Sequence, residues 1–204
     1  MSSALIGYTG FIGSNLLEHG SYDFLYNSRN IEGIVGKKID HVICAGLSGV
    51  KWRANKDPDT DLKSVQLLID CLSQVTTDRF TLISSIDVYD SFDGVNEDTP
   101  VSVSHHPYGA HRALFEDFVI KNFENHRVLR LPIVFGQNFK KNYIFDLINK
   151  NNLHNVCTKN CVQFYDVSDL SNDIDRAWLS KFSIRNIATE PVYLSSIIER
   201  YRFE

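Results

Sequence analysis

Three glycines spaced three residues apart constrain the fold of this chain more than any other feature. An apolar run of strand length precedes them and an amphipathic helical pattern follows, so the segment predicts a strand, a tight turn and a helix. Glycine suits sharp turns and the close approach of a phosphate, and a helix start offers N–H groups to an anion. An ordinary turn is the alternative, because the spacing differs from G-x-G-x-x-G. We interpret the segment as a nucleotide-binding turn formed by Gly7, Thr9, Gly10, Phe11, Ile12 and Gly13.

The rest of the chain alternates between apolar runs of strand length and helical patterns. This alternation is typical of an α/β fold, a doubly wound parallel sheet with helices on both faces. Strands are predicted over residues 4–7, 22–26, 41–45, 80–84, 127–131 and 185–188. Helices are predicted over residues 12–19, 59–73, 108–123, 143–149 and 169–181. A length of 204 residues suits one domain, residues 1–204, with elements of a substrate lobe interleaved from about residue 137 onward.

Composition excludes several classes of partner. A net charge of −4 argues against nucleic acid, and the apolar runs are shorter than the ~20 residues that span a bilayer. No signal-peptide pattern precedes the first strand, so we expect a cytoplasmic protein without a membrane partner. Cys157 and Cys161, with His154 nearby, do not have the usual zinc spacing. No metal site is therefore predicted.

The tip of the second predicted strand bears on the choice of cofactor. Proteins that bind NAD usually carry an acidic residue there, which holds the ribose 2′-hydroxyl. This chain has Ser28 and Arg29 instead, and a hydroxyl with a guanidinium suits a 2′-phosphate. The alternative is a solvated arginine on a loop. We expect NADP as the cofactor, with NAD as the second candidate.

Three further segments place polar or small residues where strands end and a helix begins. One strand opens into Ala45 and Gly46, which permit close approach by a ligand. Another strand ends at Ser85, and the carboxyl ends of parallel strands face the ligand crevice. Tyr108 and Arg112 lie four residues apart near a predicted helix start, so their side chains share one helical face.

In this order and at these spacings, the motifs resemble those of the extended short-chain dehydrogenase/reductases, in the NAD-dependent epimerase/dehydratase group that acts on sugar nucleotides. The resemblance rests on the glycine turn, Ala45-Gly46, Ser85-x-x-Val88-Tyr89 and Pro107-Tyr108-Gly109. It implies a Rossmann fold with a small C-terminal substrate lobe, which we expect to be minimal or truncated because the chain ends at Glu204.

The resemblance also implies roles for individual residues. Tyr108 would be the catalytic acid/base, and Ser85 would orient the substrate oxygen. Arg112 stands where the family has a lysine that holds the nicotinamide ribose and lowers the tyrosine pKa. Asp87 and Asn142 fall at positions implied to contact substrate.

The implied function is a reductase or epimerase of a nucleotide-linked sugar that works by hydride transfer, as a monomer or homodimer. A non-catalytic NADP-binding sensor or scaffold is the alternative, favoured by Arg112 and by the short C-terminal region. Lys140 and Lys141 would suit a diphosphate, although a lysine pair on a loop is as often simply solvated.

Overall fold

The structure, a computed structural model, describes residues 1–102, 106–151, 153 and 156–201. Within these residues the strands are β1 (Ser3–Ile6), β2 (Phe24–Tyr26), β3 (Lys38–Cys44), β4 (Thr76–Ser85), β5 (His126–Leu131), β6 (Ile133–Phe135), β7 (Cys161–Val162), β8 (Phe164–Asp166), β9 (Ile184–Asn186) and β10 (Val192–Tyr193). The helices are α1 (Phe11–His19), α2 (Lys51–Lys56), α3 (Pro58–Leu72), α4 (Pro107–Asn122), α5 (Tyr143–Ile148), α6 (Leu170–Leu179) and α7 (Leu194–Tyr201).

Six strands form a parallel sheet in the order β2-β1-β3-β4-β5-β9. The chain leaves β1 for β2 on one side and then crosses to β3 on the other. The strand order therefore reverses between β1 and β3, which is where α/β sheets bind ligands, outside the carboxyl ends of the strands. The predicted doubly wound α/β fold is confirmed.

The alternation of side chains along each strand divides the core into two layers. Ile6 and Leu82 point to the face covered by α3 and α4, and they pack in a cluster with Phe115 of α4. Leu5 and Ile83 point to the opposite face, which α1 and α6 cover. Burial of a strand on both faces explains why the sequence shows continuous apolar runs there.

The predicted central strands and main helices are all present, with ends shifted by a few residues. The predictions omitted the short helix α2, the C-terminal helix α7 and the two-stranded pairings β6–β8 and β7–β10. Residues after Gln137 contribute α6 and β9 to the central body and also form the peripheral β7–β10 pair. None of the described helices combines the length and the apolar character that crossing a membrane requires.

A buried network fixes α4 against the sheet. Glu116 of α4 is 1% exposed, and its carboxylate accepts hydrogen bonds from the Arg130 guanidinium, the shortest at 2.6 Å. The Ser84 hydroxyl donates to the same carboxylate at 2.5 Å. Arg130 also donates to the Tyr89 hydroxyl at 2.6 Å, so strands β4 and β5 are joined to α4 through one set of polar contacts.

Removal of one member of this network should destabilise the fold severely. Glu116→Gln leaves the Arg130 charge buried with a neutral partner, and we expect a loss of about 3–5 kcal/mol in the free energy of unfolding. Urea denaturation followed by circular dichroism measures this loss. Asp117→Asn is the matched control, because Asp117 forms an exposed pair with Lys121 and should cost less than about 0.5 kcal/mol. Equal losses in the two variants would contradict the assignment.

Candidate functional site

The glycine turn between β1 and α1 uses its glycines for two different purposes. Gly7 has a φ of +86°, and a Cβ added there would lie 2.3 Å from the Ala45 carbonyl oxygen. A Cβ at Gly13 would lie 2.1 Å from the Gly7 carbonyl oxygen. These two glycines are therefore required by the packing of the chain on itself. Gly10 differs, because an added Cβ would meet a single protein atom, the Gly7 oxygen at 3.3 Å.

A cavity of about 500 Å³ opens beside this turn, at the carboxyl ends of the central strands. It brings together most of the residues that the sequence singled out, namely Gly7, Thr9, Gly10, Phe11, Ile12, Ser28, Ala45, Gly46, Ser85 and Tyr108. Its size lies within the ordinary range for small-molecule sites. Among the described residues that line it, none carries a carboxylate and one, Lys141, carries a charge.

The first turn of α1 provides hydrogen-bond donors at the cavity wall. The Ser14 amide donates to the Gly10 carbonyl oxygen at 2.8 Å, which starts the helical pattern. The amides of Phe11 and Ile12 come before this bond, where a helix offers no acceptor of its own. Gly10 provides no side-chain cap, so these amides and the positive end of the helix favour an anion in the cavity.

Tyr108 is positioned by contacts at the start of α4. Its backbone N–H donates to the Asn55 side-chain oxygen at 3.0 Å, and His106 caps the helix by accepting from the Gly109 amide at 3.0 Å. Burial raises the pKa of the Tyr108 phenol above its ordinary value, and the neighbouring Arg112 only partly opposes that rise. Arg112 acts in the direction that the resemblance implies and lowers the pKa of the Tyr108 phenol, but desolvation outweighs this effect and the net shift is upward.

Arg112 does not line the cavity. It is 2% exposed, and its guanidinium donates to Asp61 of α3 at 2.8 Å and to the Tyr108 carbonyl oxygen at 3.0 Å. It also donates to the Ser48 carbonyl oxygen. The resemblance implied that Arg112 contacts the cofactor, but in the structure Asp61, which is distant in sequence, binds its guanidinium between α3 and α4. The Arg112 guanidinium carbon lies 3.7 Å from the centre of the Tyr108 ring.

Ser85 and Asp87 lie next to each other at the end of β4. The Ser85 hydroxyl accepts from the Asp87 amide at 3.2 Å and lies 3.4 Å from its carboxylate. Asp87 also pairs with Lys51 of α2 at 2.6 Å. Ser85 lines the cavity, and Asp87 is not among its lining residues.

The remaining predicted residues lie at the periphery. Arg29 is exposed and does not line the cavity, although its neighbours Asn27 and Ser28 do. The Asn142 amide caps α5 by accepting from the Phe145 amide at 3.0 Å and donates to the Val134 carbonyl at 2.7 Å, so both ends of this side chain serve the local fold. Asn142 is not among the lining residues.

Metal ligands are not clustered in the part of the chain that the structure describes. No three His, Cys, Asp or Glu side chains converge there, and Cys157 and Cys161 are exposed free thiols. His154, the third candidate in the sequence analysis, lies outside the described residues.

Lys141, which the sequence indicated as one member of a lysine pair, lines the cavity. It lies between β6 and α5, and its ammonium nitrogen Nζ donates a hydrogen bond to the carbonyl oxygen of Gly49, another lining residue. The sequence showed a lysine pair on a loop, and nothing in that pattern distinguishes Lys141 from Lys140. The tertiary structure distinguishes the two lysines, because Lys141 is among the residues that line the cavity and Lys140 is not.

Known structures share this fold. A dTDP-4-dehydrorhamnose reductase from Clostridium acetobutylicum superposes with a TM-score of 0.78 and 14% identity, covering 100% of this chain and 81% of that one. A UDP-glucuronic acid 4-epimerase from Bacillus cereus, in complex with UDP-glucuronic acid and NAD, has a TM-score of 0.75 and 21% identity over 98% of this chain and 81% of that one. A UDP-N-acetylglucosamine 4-epimerase from Methanobrevibacter ruminantium has a TM-score of 0.75 and 15% identity over 97% and 80% of the two chains.

At these identities the likeness shows a common fold. No sequence among the curated proteins matches the chain significantly. A family model described as the NAD dependent epimerase/dehydratase family matches residues 22–172 of the 204. This match runs from β2 to the first residues of α6 and includes Ser85 and Tyr108, and it begins after the glycine turn. The chain therefore belongs to the NAD-dependent epimerase/dehydratase family.

Proposed function

We propose that this protein is a dinucleotide-dependent oxidoreductase that reduces or epimerises a nucleotide-linked sugar. The observation that carries the proposal is the cavity itself, which combines the phosphate-binding turn at Gly10 with Tyr108 and Ser85 and lacks a lining carboxylate among the described residues. The residues fit a dinucleotide, because the α1 amides can bind its pyrophosphate where Gly10 leaves room. When bound, the nicotinamide would supply or accept a hydride.

Tyr108 would hold and move the proton that accompanies the hydride. Because burial raises its pKa, the phenol keeps its proton at neutral pH and can donate it to an oxygen that becomes negative during reduction. Ser85 at the adjacent strand end would hold that oxygen by a hydrogen bond. The protonated phenol is the form that reduction requires, and in an epimerase the same two groups would serve the oxidation and the reduction in turn.

For the cofactor we propose a preference for NADP, with NAD as the alternative. Asn27 and Ser28 line the cavity at the tip of β2, a position that has no carboxylate to hold the 2′-hydroxyl of NAD. Arg29 follows directly and is exposed, which leaves its guanidinium able to turn toward a 2′-phosphate. The Bacillus cereus epimerase structure contains NAD, so the two cofactors need a direct comparison.

For the substrate, we propose a sugar linked to a nucleoside diphosphate, by analogy with the UDP- and dTDP-linked sugars in the names of the similar structures. The alternative function is a sensor or scaffold that binds a dinucleotide without turnover. One observation favours this alternative, namely that Asp61 keeps the Arg112 charge out of the cavity.

The glycine turn supplies a test of cofactor binding. Gly10→Val should abolish binding of NADPH and leave the fold intact, because the new side chain fills the space where the pyrophosphate would lie. Gly13→Val is the matched contrast and should unfold the protein, since its Cβ collides with the Gly7 carbonyl. Calorimetry and thermal denaturation separate the two effects. A folded Gly10→Val protein that binds NADPH normally would show that the phosphate site lies elsewhere.

Substitution of Tyr108 distinguishes the enzyme from the sensor. Tyr108→Phe removes the hydroxyl alone, so NADPH should still bind while turnover falls by roughly 10²–10⁴-fold. Turnover of UDP- and dTDP-sugars is followed by NADPH absorbance for reduction and by NMR of the sugar for epimerisation. Tyr193→Phe, at a half-exposed tyrosine that is not among the lining residues, is the control and should retain full activity. If the unmodified protein binds NADPH and turns over no nucleotide sugar, the sensor function is favoured.

Arg29 tests the cofactor preference. The unmodified protein should bind NADPH more tightly than NADH, and Arg29→Ala should narrow the difference by about 1.5–3 kcal/mol, the value of a hydrogen bond to a charged group. The affinity for NADH serves as the internal control and should not change. Equal calorimetric affinities of the unmodified protein for the two cofactors would contradict the preference.

A further inference from the structure

The Arg112 guanidinium already has hydrogen-bond partners within the protein. Asp61 accepts from its two terminal nitrogens at 2.8 Å and 3.5 Å, and the carbonyl oxygens of Tyr108 and Ser48 accept from them as well. The guanidinium is 2% exposed, and Arg112 is not among the residues that line the cavity. In this conformation Arg112 therefore offers no direct hydrogen bond to a ligand in the cavity.

Lys141 and Arg112 contact neighbouring residues of the segment that follows β3. Arg112 binds the carbonyl of Ser48, and Lys141 binds the carbonyl of the next residue, Gly49. Lys141 faces the cavity and Arg112 does not. The residue as a whole remains exposed on its loop, so its long side chain is able to adjust its position.

The ammonium group of Lys141 is short of partners in this structure. An ammonium has three donors, and the described residues supply one acceptor, the Gly49 oxygen, and no carboxylate. Partial burial and the nearby Arg112 charge lower the pKa of Lys141 below its ordinary value. An anion placed beside this nitrogen would offset both effects by its attraction for the ammonium.

We propose that Lys141 is the cationic ligand of the dinucleotide, donating to its phosphate or ribose oxygens in place of Arg112. This inference rests on the proposed function, since it assigns a residue to the same site. It also explains why the loop between β6 and α5 closes onto the turn that follows β3. In this protein the cation that serves the cofactor would come from a loop and not from the helix that carries Tyr108.

Calorimetric binding of NADPH and NADH to the unmodified protein and to lysine variants tests the proposal. Lys141→Met should weaken binding of the preferred cofactor by about 10–100-fold, as for loss of a hydrogen bond to a charged group. Lys140→Met is the matched control, because its exposed neighbouring side chain does not line the cavity, and its effect should stay within about twofold. Lys141→Arg keeps the charge and should recover most of the affinity.

Proton uptake provides a readout that a purely structural lysine would not give. The pKa of Lys141 lies below its ordinary value, and an anion bound beside it should raise that pKa, so binding should become coupled to proton uptake as the pH rises toward the titration of the unliganded lysine. Calorimetry in buffers of different ionisation enthalpy measures this uptake, which Lys141→Met should abolish.

UDP, titrated into the same proteins, reports on the nucleotide-sugar part of the cavity. Three results would overturn the proposal: unchanged NADPH and NADH affinity in Lys141→Met, absence of proton uptake by the unmodified protein, or a loss confined to binding of UDP. If the unmodified protein binds neither dinucleotide, the proposed function itself fails and this inference falls with it.

Discussion

Two buried ion pairs hold helix α4, and the geometry of the candidate site depends on them. Arg112 joins the helix to Asp61 of α3, and Glu116 joins it to Arg130 of β5. Tyr108 lies four residues before Arg112, which in turn lies four residues before Glu116. The two ion pairs therefore fix the helix that carries Tyr108 against both α3 and β5. Buried ion pairs contribute little net stability because desolvation offsets their attraction. Their role here is to define where α4 lies, and hence where Tyr108 lies relative to the end of β4.

The charged residues that hold α4 in place are different from Lys141, the charged residue that lines the cavity. Arg112, Asp61, Glu116 and Arg130 neutralise one another in the interior. Much of the cavity wall is apolar, and its polar part consists of backbone amides, uncharged side chains and one ammonium from Lys141 among the described residues. Such a wall favours a polyanion and disfavours a cation, which is the electrostatic condition for a dinucleotide with its pyrophosphate.

The sequence predicted the fold and much of the cavity because both depend on local patterns. The apolar runs of β1, β3, β4 and β5 and the glycines of the first turn are read from neighbouring residues. The hydrogen-bond partners of Arg112 and Lys141 could not be predicted in this way, since they lie 51 and 92 residues away in sequence. A charged side chain on a helix or loop carries no local sign of whether a distant residue will bind it. Strands of two or three residues, such as β7 and β10, are too short to show a period.

A crystal structure of the protein with NADPH bound tests the central claim most directly. The account predicts that the pyrophosphate lies against the amides of Phe11 and Ile12, with the nicotinamide ring beside Tyr108 and Lys141 in contact with the cofactor. Arg112 should remain bound to Asp61. Electron density for the cofactor outside this cavity, or an Arg112 that leaves Asp61 to contact the ribose while Lys141 points to solvent, would contradict it.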